Sequence, residues 1–148
     1  MKLIIGADHR GFAHKEFIKQ NFVWDKPIGW IDVGAYTNEP SDYPEFAIAA
    51  CHDIHNGMAQ KAILICGSGA GMAIIANRFA GIYAAVAWNE IIAFKAVEDD
   101  NVNVIVIPAD FVDCEYGLDI VYAWLRAEFK HDHYQDRLDM IDNVGGVK

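Results

Sequence analysis

Five short runs of β-branched and aliphatic residues recur along the chain, and each is followed by a longer amphipathic stretch. The runs are Leu3-Ile4-Ile5-Gly6, Trp30-Ile31-Asp32-Val33-Gly34, Ala62-Ile63-Leu64-Ile65, Ile82 to Ala87 and Asn103 to Ile107. A strand that is apolar at consecutive positions needs cover on both faces, which a parallel sheet wrapped by helices provides. The amphipathic stretches predict helices over about 11–22, 45–56, 90–97 and 112–129, one ending near Phe79, and a last one over about 134–141. The expected fold class is α/β: three layers, with a five-stranded parallel sheet and helices on both faces.

At 148 residues the chain has the usual size of one domain, so a single domain over 1–148 is expected. Its 53% apolar content, against 22% charged residues, is enough for a core. The surplus makes a homo-oligomer plausible. The formal net charge of −9 argues against nucleic acid and against an anionic membrane as partners. A phosphorylated metabolite stays possible, because a few cations and backbone amides can hold one anion.

Three widely spaced cysteines, Cys51, Cys66 and Cys114, fit a reducing compartment rather than a disulfide framework or a zinc site. The start of the chain lacks the apolar length of a signal peptide, and no stretch approaches the roughly 18 to 20 apolar residues that span a bilayer. A soluble, cytoplasmic protein is the expectation.

In sheets of this kind, ligands lie beyond the carboxyl ends of the strands. Three segments rich in chemistry fall there: Gly6 to Gly11 (GADHRG) after the first strand, Ser41-Asp42-Tyr43-Pro44 after the second and Cys66 to Gly71 (CGSGAG) after the third. They should share one rim. The glycines of CGSGAG allow close backbone approach and amides aimed at an anion. Its spacing is not that of a nucleotide loop: Met72 stands where GxGxxG needs glycine and where a tyrosine-phosphatase loop needs arginine, and a phosphate-loop lysine is missing.

Cys66 joins a buried strand to a helix start, where the helix dipole is expected to lower the thiol pKa and make thiolate available. The plain alternative is a buried structural cysteine, which is how Cys51 and Cys114 are read. Asp8 and His9 are either a turn cap or part of a site. Tyr43 either walls the pocket or packs in a turn before Pro44. The pairs His52/His55 and His131/His133 have no third ligand at a telling spacing, so no metal is expected, and His52, His55 and His131 are read as solvated.

The segments IIGADHRGF, SDYP, ILICGSGAGMAIIANRFAGI and NVNV resemble the ribose-5-phosphate isomerase B and galactose-6-phosphate isomerase family, over nearly the whole chain. The resemblance implies a Rossmann-like fold, dimers or dimers of dimers with shared active sites, and interconversion of aldose and ketose phosphates without cofactor or metal. Ribose 5-phosphate and ribulose 5-phosphate are the type substrates. It implies Cys66 as the base in an enediol proton transfer and Ser68 at the sugar-ring oxygen. Amides from Gly67 through Gly69 and Ala70 to Gly71 would hold the enediolate. Asp8, His9, Tyr43 and Asn77 would contact the sugar, and Arg137 the phosphate. The C-terminal stretch, about 130–148, would pack on the partner subunit.

The departures from the family pattern are as informative. Asp99 and Asp100 stand where ribose-specific members carry a ring-opening His and an Asn, Asp110 replaces an Arg, and His133-Tyr134 replace Arg-His. Tyr83 occupies a frequent Arg position. Each lost charge-assisted contact would weaken phosphate binding by about 1.5 to 3 kcal/mol. Arg10 and His133 are candidate replacements.

Two explanations follow for the missing His. The substrate is already open-chain, as a tetrose 4-phosphate must be because its O4 carries the phosphate. Alternatively, Asp99 is itself the acid–base group, which requires a raised pKa. A sugar-phosphate-binding paralogue without turnover is the competing functional class. A flavodoxin-like or receiver-like signalling domain would leave CGSGAG unexplained.

Overall fold

A computed structural model of the chain describes residues 1–144. The strands are β1 (Lys2–Ala7), β2 (Gly29–Asp32), β3 (Ala62–Cys66), β4 (Ala84–Val86) and β5 (Val104–Pro108). They form one parallel sheet in the order β2-β1-β3-β5-β4. The helices are α1 (Phe12–Asn21), α2 (Tyr43–His55), α3 (Ala70–Ala76), α4 (Glu90–Asp100), α5 (Cys114–Arg126) and α6 (His133–Asp142). The expected five-stranded α/β sandwich is what forms.

The two-residue period of a strand sends neighbouring side chains to opposite faces, and so divides the core in two. Leu3, Ile5, Ile63, Ile65, Ile105 and Ile107 meet α1, α4 and α5, with Trp124 fully buried among them. Ile4, Leu64, Cys66, Val104 and Val106 meet α2 and α3. Both faces are dry, which is why the strands read as unbroken apolar runs.

Local chemistry sets the element ends. Asn89 and Asp113 cap α4 and α5 by accepting from the Ile92 and Tyr116 amides at 2.8 Å. α4 stops at Asn101, whose left-handed conformation (φ 49°) no helix can continue. α2 begins two residues before the expected Glu45, because Pro44 fits the first helical turn, where its missing N–H costs nothing. Tyr43 therefore projects from a rigid helix start rather than from a loop. Cys114 is also corrected: it is only half-buried at the start of α5, whereas Cys51 lies in the core and burial pushes its thiol up to about 11.

α1 carries a buried cation that the sequence did not reveal. Lys15, with no exposed side-chain surface, bonds both oxygens of Asp32 at 2.7 and 2.8 Å, and Lys19 joins at 2.6 Å. Burial alone would raise the Asp32 pKa. The bonds from Lys15, Lys19 and the Gly34 amide outweigh it and hold the carboxyl below its ordinary value. A depressed carboxyl stabilises the fold above its unfolded pKa of 3.8, and that stability is lost as pH falls through the lower folded value. Asp32→Asn should lower the unfolding free energy by about 1 to 3 kcal/mol at neutral pH, because it leaves the buried Lys15 with Glu16, at 3.3 Å, as its remaining carboxylate partner. Urea titrations should find the deficit shrinking below about pH 4, as the native carboxyl is itself protonated.

Candidate active site

The strand order reverses between β1 and β3, and the crevice beyond their carboxyl ends is the natural binding place in such a sheet. Asp8 and Cys66 stand at the two lips of that crevice. The Asp8 amide donates to the Ile65 carbonyl at 3.1 Å, and the Asp8 carboxylate accepts from the Arg10 and Gly11 amides at 2.9 and 3.1 Å. Asp8 is thus the knot of the turn after β1. The His9 amide donates to Ser41 Oγ at 3.0 Å, and its ring Nδ1 pairs with the Ser41 backbone, which joins the second segment to the first. Ser41, the first residue of the expected SDYP segment, is thus the link that no sequence signal assigned a partner.

Tyr43 and Arg10 close over the glycine loop. A Cβ added at Gly71 would fall 2.5 Å from the Tyr43 ring, and one at Gly67 would collide with the Arg10 guanidinium. Gly69 takes a left-handed conformation (φ 78°) with Val86 2.9 Å from where a Cβ would stand. Glycine is required at Gly69 for its conformation and its contact, a side chain at Gly71 would have to push the Tyr43 ring away, and one at Gly67 would displace only the flexible head of Arg10. Arg10 is fastened from outside: it donates to Asp110, whose own amide donates to the Gly67 carbonyl at 3.0 Å. The three expected segments do share one rim, and the turn after β5 joins them.

Cys66 ends β3, with only 4% of its surface exposed. Burial is the largest influence on the thiol and pushes its pKa up, against the expected lowering. The Gly69 and Met72 amides bonded to the sulfur and the nearby Arg10 pull it down, while Asp8 pushes it up again. The dipole argument fails because α3 is only seven residues long and the sulfur is withdrawn from water. The Gly69 amide therefore serves the sulfur, and the Ala70 amide donates to Ser68 Oγ at 3.3 Å. Beside them Ser68, Ala70, Val86, Trp88, Pro108 and Phe111 line a largely apolar cavity of about 470 Å³. The exposed Trp88 and Phe111 lie at carboxyl ends of strands, so the rim rule that found Cys66 would have found them too.

The other expected residues lie elsewhere. α4 leaves the rim at Glu90 and, at 1.5 Å per residue, carries Asp99 and Asp100 about 14 to 15 Å away to the amino ends of the strands. Lys130 donates to Asp99 at 3.0 Å, and this bond is the main reason that the Asp99 carboxyl is held below its ordinary value. A raised pKa was the condition for acid–base work there, and the opposite is found.

Asn77, at the end of α3, exchanges two 2.8 Å bonds with the Ala84 backbone. With Tyr83, Asp100, Leu138 and Ile141 it lines a separate cavity of about 250 Å³. Arg137 stacks on Tyr134 in α6, where His133 is the first residue. α6 rests on α4 of the same chain through the buried Leu138. The last four residues of the expected partner-contacting stretch, 145–148, lie outside the described residues.

His52 and His55 are exposed as expected, and both rings pack edge-on against Phe79. Among the described residues no three His, Cys, Asp or Glu side chains converge to hold a metal ion. None of the described helices is long and apolar enough to cross a membrane.

Residues 3–141 match the Ribose/Galactose Isomerase family. The chain belongs to that family. Within the ribose/galactose isomerases it is similar in structure to a ribose 5-phosphate isomerase from Thermotoga maritima, with a TM-score of 0.91 and 36% identity over 97% of this chain and 98% of that one. It is 34% identical over 131 residues to D-erythrulose-4-phosphate isomerase 2 of Mycolicibacterium smegmatis, which covers 87% of this chain and 86% of the relative. It is 38% identical over 153 aligned residues to 4-deoxy-4-sulfo-D-erythrose isomerase of a Clostridium species, covering 100% of this chain and 96% of the relative. The protein is therefore an aldose–ketose isomerase of the sugar-phosphate isomerase family.

Proposed function

We propose that the protein interconverts the aldose and ketose forms of a four-carbon, open-chain sugar carrying an anionic group at C4, with Cys66 as the base. The observation that carries the choice of chain length is Asp99, the residue in place of a ring-opening group. It is tied to Lys130 as an ionised carboxylate and is a poor proton donor. A substrate with no hydroxyl left at C4 cannot close a five-membered ring and needs no such donor. Two of the related isomerases are named for four-carbon substrates of this kind.

The chemistry follows from the rim. The Cys66 thiolate takes the proton from C2 of the aldose, and the electron pair moves to O1, giving an enediolate. A hydroxyl proton is exchanged between O2 and O1, and the thiol returns its proton to C1 as the C2 carbonyl forms. The Gly69 and Met72 amides stabilise the thiolate that the first step needs. Asp8, His9 and Tyr43 frame the sugar, and Ser68 is placed beside the reacting carbons.

One protomer holds only half of the expected constellation at the rim. Asn77, Asp99, Asp100, His133 and Arg137 reach such a rim only from a second copy, so the working unit is a homodimer with composite sites. Free Cys51, Cys66 and Cys114 are consistent with a reducing, cytoplasmic setting.

Deuterium uptake from heavy water tests the reading, using four-, five- and six-carbon aldose and ketose phosphates plus the four-carbon C4 sulfonate, followed by mass spectrometry. Exchange confined to four-carbon compounds is the expected result. Equal exchange on ribose 5-phosphate overturns the open-chain assignment. Exchange on no compound leaves a sugar-binding paralogue without turnover.

A further inference from the structure

Two side-chain connections join the segment after β1 to the turn after β5, and they differ in how much water reaches them. The outer one is the Arg10–Asp110 ion pair, with both side chains partly exposed, and such a pair does little to fix a geometry. The inner one is His14, in the first turn of α1, whose ring Nε2 donates to the Val112 carbonyl at 2.7 Å. His14 is buried, and α1 starts hard against β3, since a Cβ at Gly11 would stand 2.5 Å from the Ile65 carbonyl oxygen. A buried bond of this kind holds firmly, because breaking it strands both groups away from water.

As a packing residue His14 is costly. Its Nδ1 is buried and, among the described residues, is the one buried side-chain nitrogen or oxygen without a hydrogen-bond partner. An apolar side chain would fill the space beside Gly117 and orphan no nitrogen. What the ring adds is the donor at Nε2. Its acceptor belongs to the turn that braces the reactive loop. The Ala109 amide of that turn donates to the Cys66 carbonyl at 2.9 Å, and the Asp110 amide to the Gly67 carbonyl at 3.0 Å. These two bonds fix where the chain leaves β3, and from there the Gly69 and Met72 amides turn back onto the Cys66 sulfur. Small misplacements of a reacting group are expensive in rate. We propose that His14 is a positioning residue of the isomerase: by holding the turn after β5 through Val112, it keeps the Cys66 thiol aligned with the carbon it deprotonates. His14 acts through Cys66, so this role rests on the reading of Cys66 as the base.

The test compares kcat and KM of the native chain, His14→Leu and His14→Gln, with Cys66→Ala alongside. The substrate is whichever of D-erythrose 4-phosphate, 4-deoxy-4-sulfo-D-erythrose, ribose 5-phosphate and galactose 6-phosphate the native chain converts fastest. Urea titrations give the folded fraction of each variant. Leucine fills the space but has no donor, so kcat per folded chain should fall about tenfold or more while KM stays within about twofold. Glutamine carries an N–H as many bonds from Cβ as Nε2 of histidine, and it should restore kcat to within about threefold of native. With Cys66→Ala inactive, three results overturn the positioning role alone: native kcat in His14→Leu, a loss that vanishes once folded fraction is counted, or a glutamine variant as slow as leucine. Native turnover by Cys66→Ala overturns the choice of base and His14's role with it, as does a native chain that converts none of the four compounds.

Discussion

Replacing Cys66 by alanine should reduce turnover of the preferred substrate about a thousandfold, as expected when a positioned general base is removed. That is about 4 kcal/mol of barrier. The loss should appear in kcat and in deuterium exchange together, because without the thiolate no proton leaves C2. Substrate should still bind, since His9, Tyr43 and Arg10 are held by contacts of their own. The pH dependence has a definite sign. Burial raises the thiol pKa, so the reactive thiolate is scarce at neutral pH, and kcat/KM should climb with pH into the alkaline range before levelling. A stopped assay at fixed substrate and varied pH is enough to see this. A Cys66→Ala protein that still exchanges deuterium at the native rate would remove the cysteine from the mechanism.

Mixing two damaged chains should restore activity, which is the larger qualitative effect. A Cys66→Ala chain lacks the base at the rim, and an Arg137→Ala chain lacks a cation on α6 at the far end. Arg137→Ala alone should cost about 1.5 to 3 kcal/mol of substrate binding through the lost charge-assisted contact. If each site joins the rim of one protomer to the far end of another, a mixed dimer contains one doubly damaged site and one intact site. Random reassortment of equal amounts makes half the dimers mixed, so recovered activity should approach about a quarter of the native value. The measurement is a refolded mixture compared with each variant treated alone. No recovery would mean that the two groups do not serve one site. Asn77, Asp99, Asp100, His133 and Arg137 would then have to be understood as parts of the surface that packs α4 and α6.

The rim was legible because its determinants are local. Asp8 and Cys66 directly follow or end apolar runs, and a parallel sheet delivers the ends of its strands to one edge whatever the details of the helices. The glycines of the loop advertised themselves for the same reason, since their spacing reports where the backbone must turn or be approached. What was not legible was what depends on distance through space. The helix-start argument for a low Cys66 pKa considered α3 alone and missed the desolvation imposed by the α2 and β-sheet packing around the sulfur. Chain order likewise could not tell that α4 carries Asp99 to the amino ends of the strands and beside Lys130, from where it would meet a rim only in a second copy.

By itself the sequence determined the parallel α/β class, the five strands, the two-sided cover and the rim of Asp8, Tyr43 and Cys66 to Gly71. All of these follow from hydrophobic period and turn chemistry within a few consecutive residues. Only the tertiary structure decided that Arg10 lies over Gly67 and answers to Asp110, 100 residues along the chain. Only it paired Lys15 with Asp32, buried the thiol and set Asn77 and Asp100 at a second cavity away from the rim. Those outcomes depend on which side chains the strand order brings together and how much water it removes, and neither quantity is carried by any short stretch of residues.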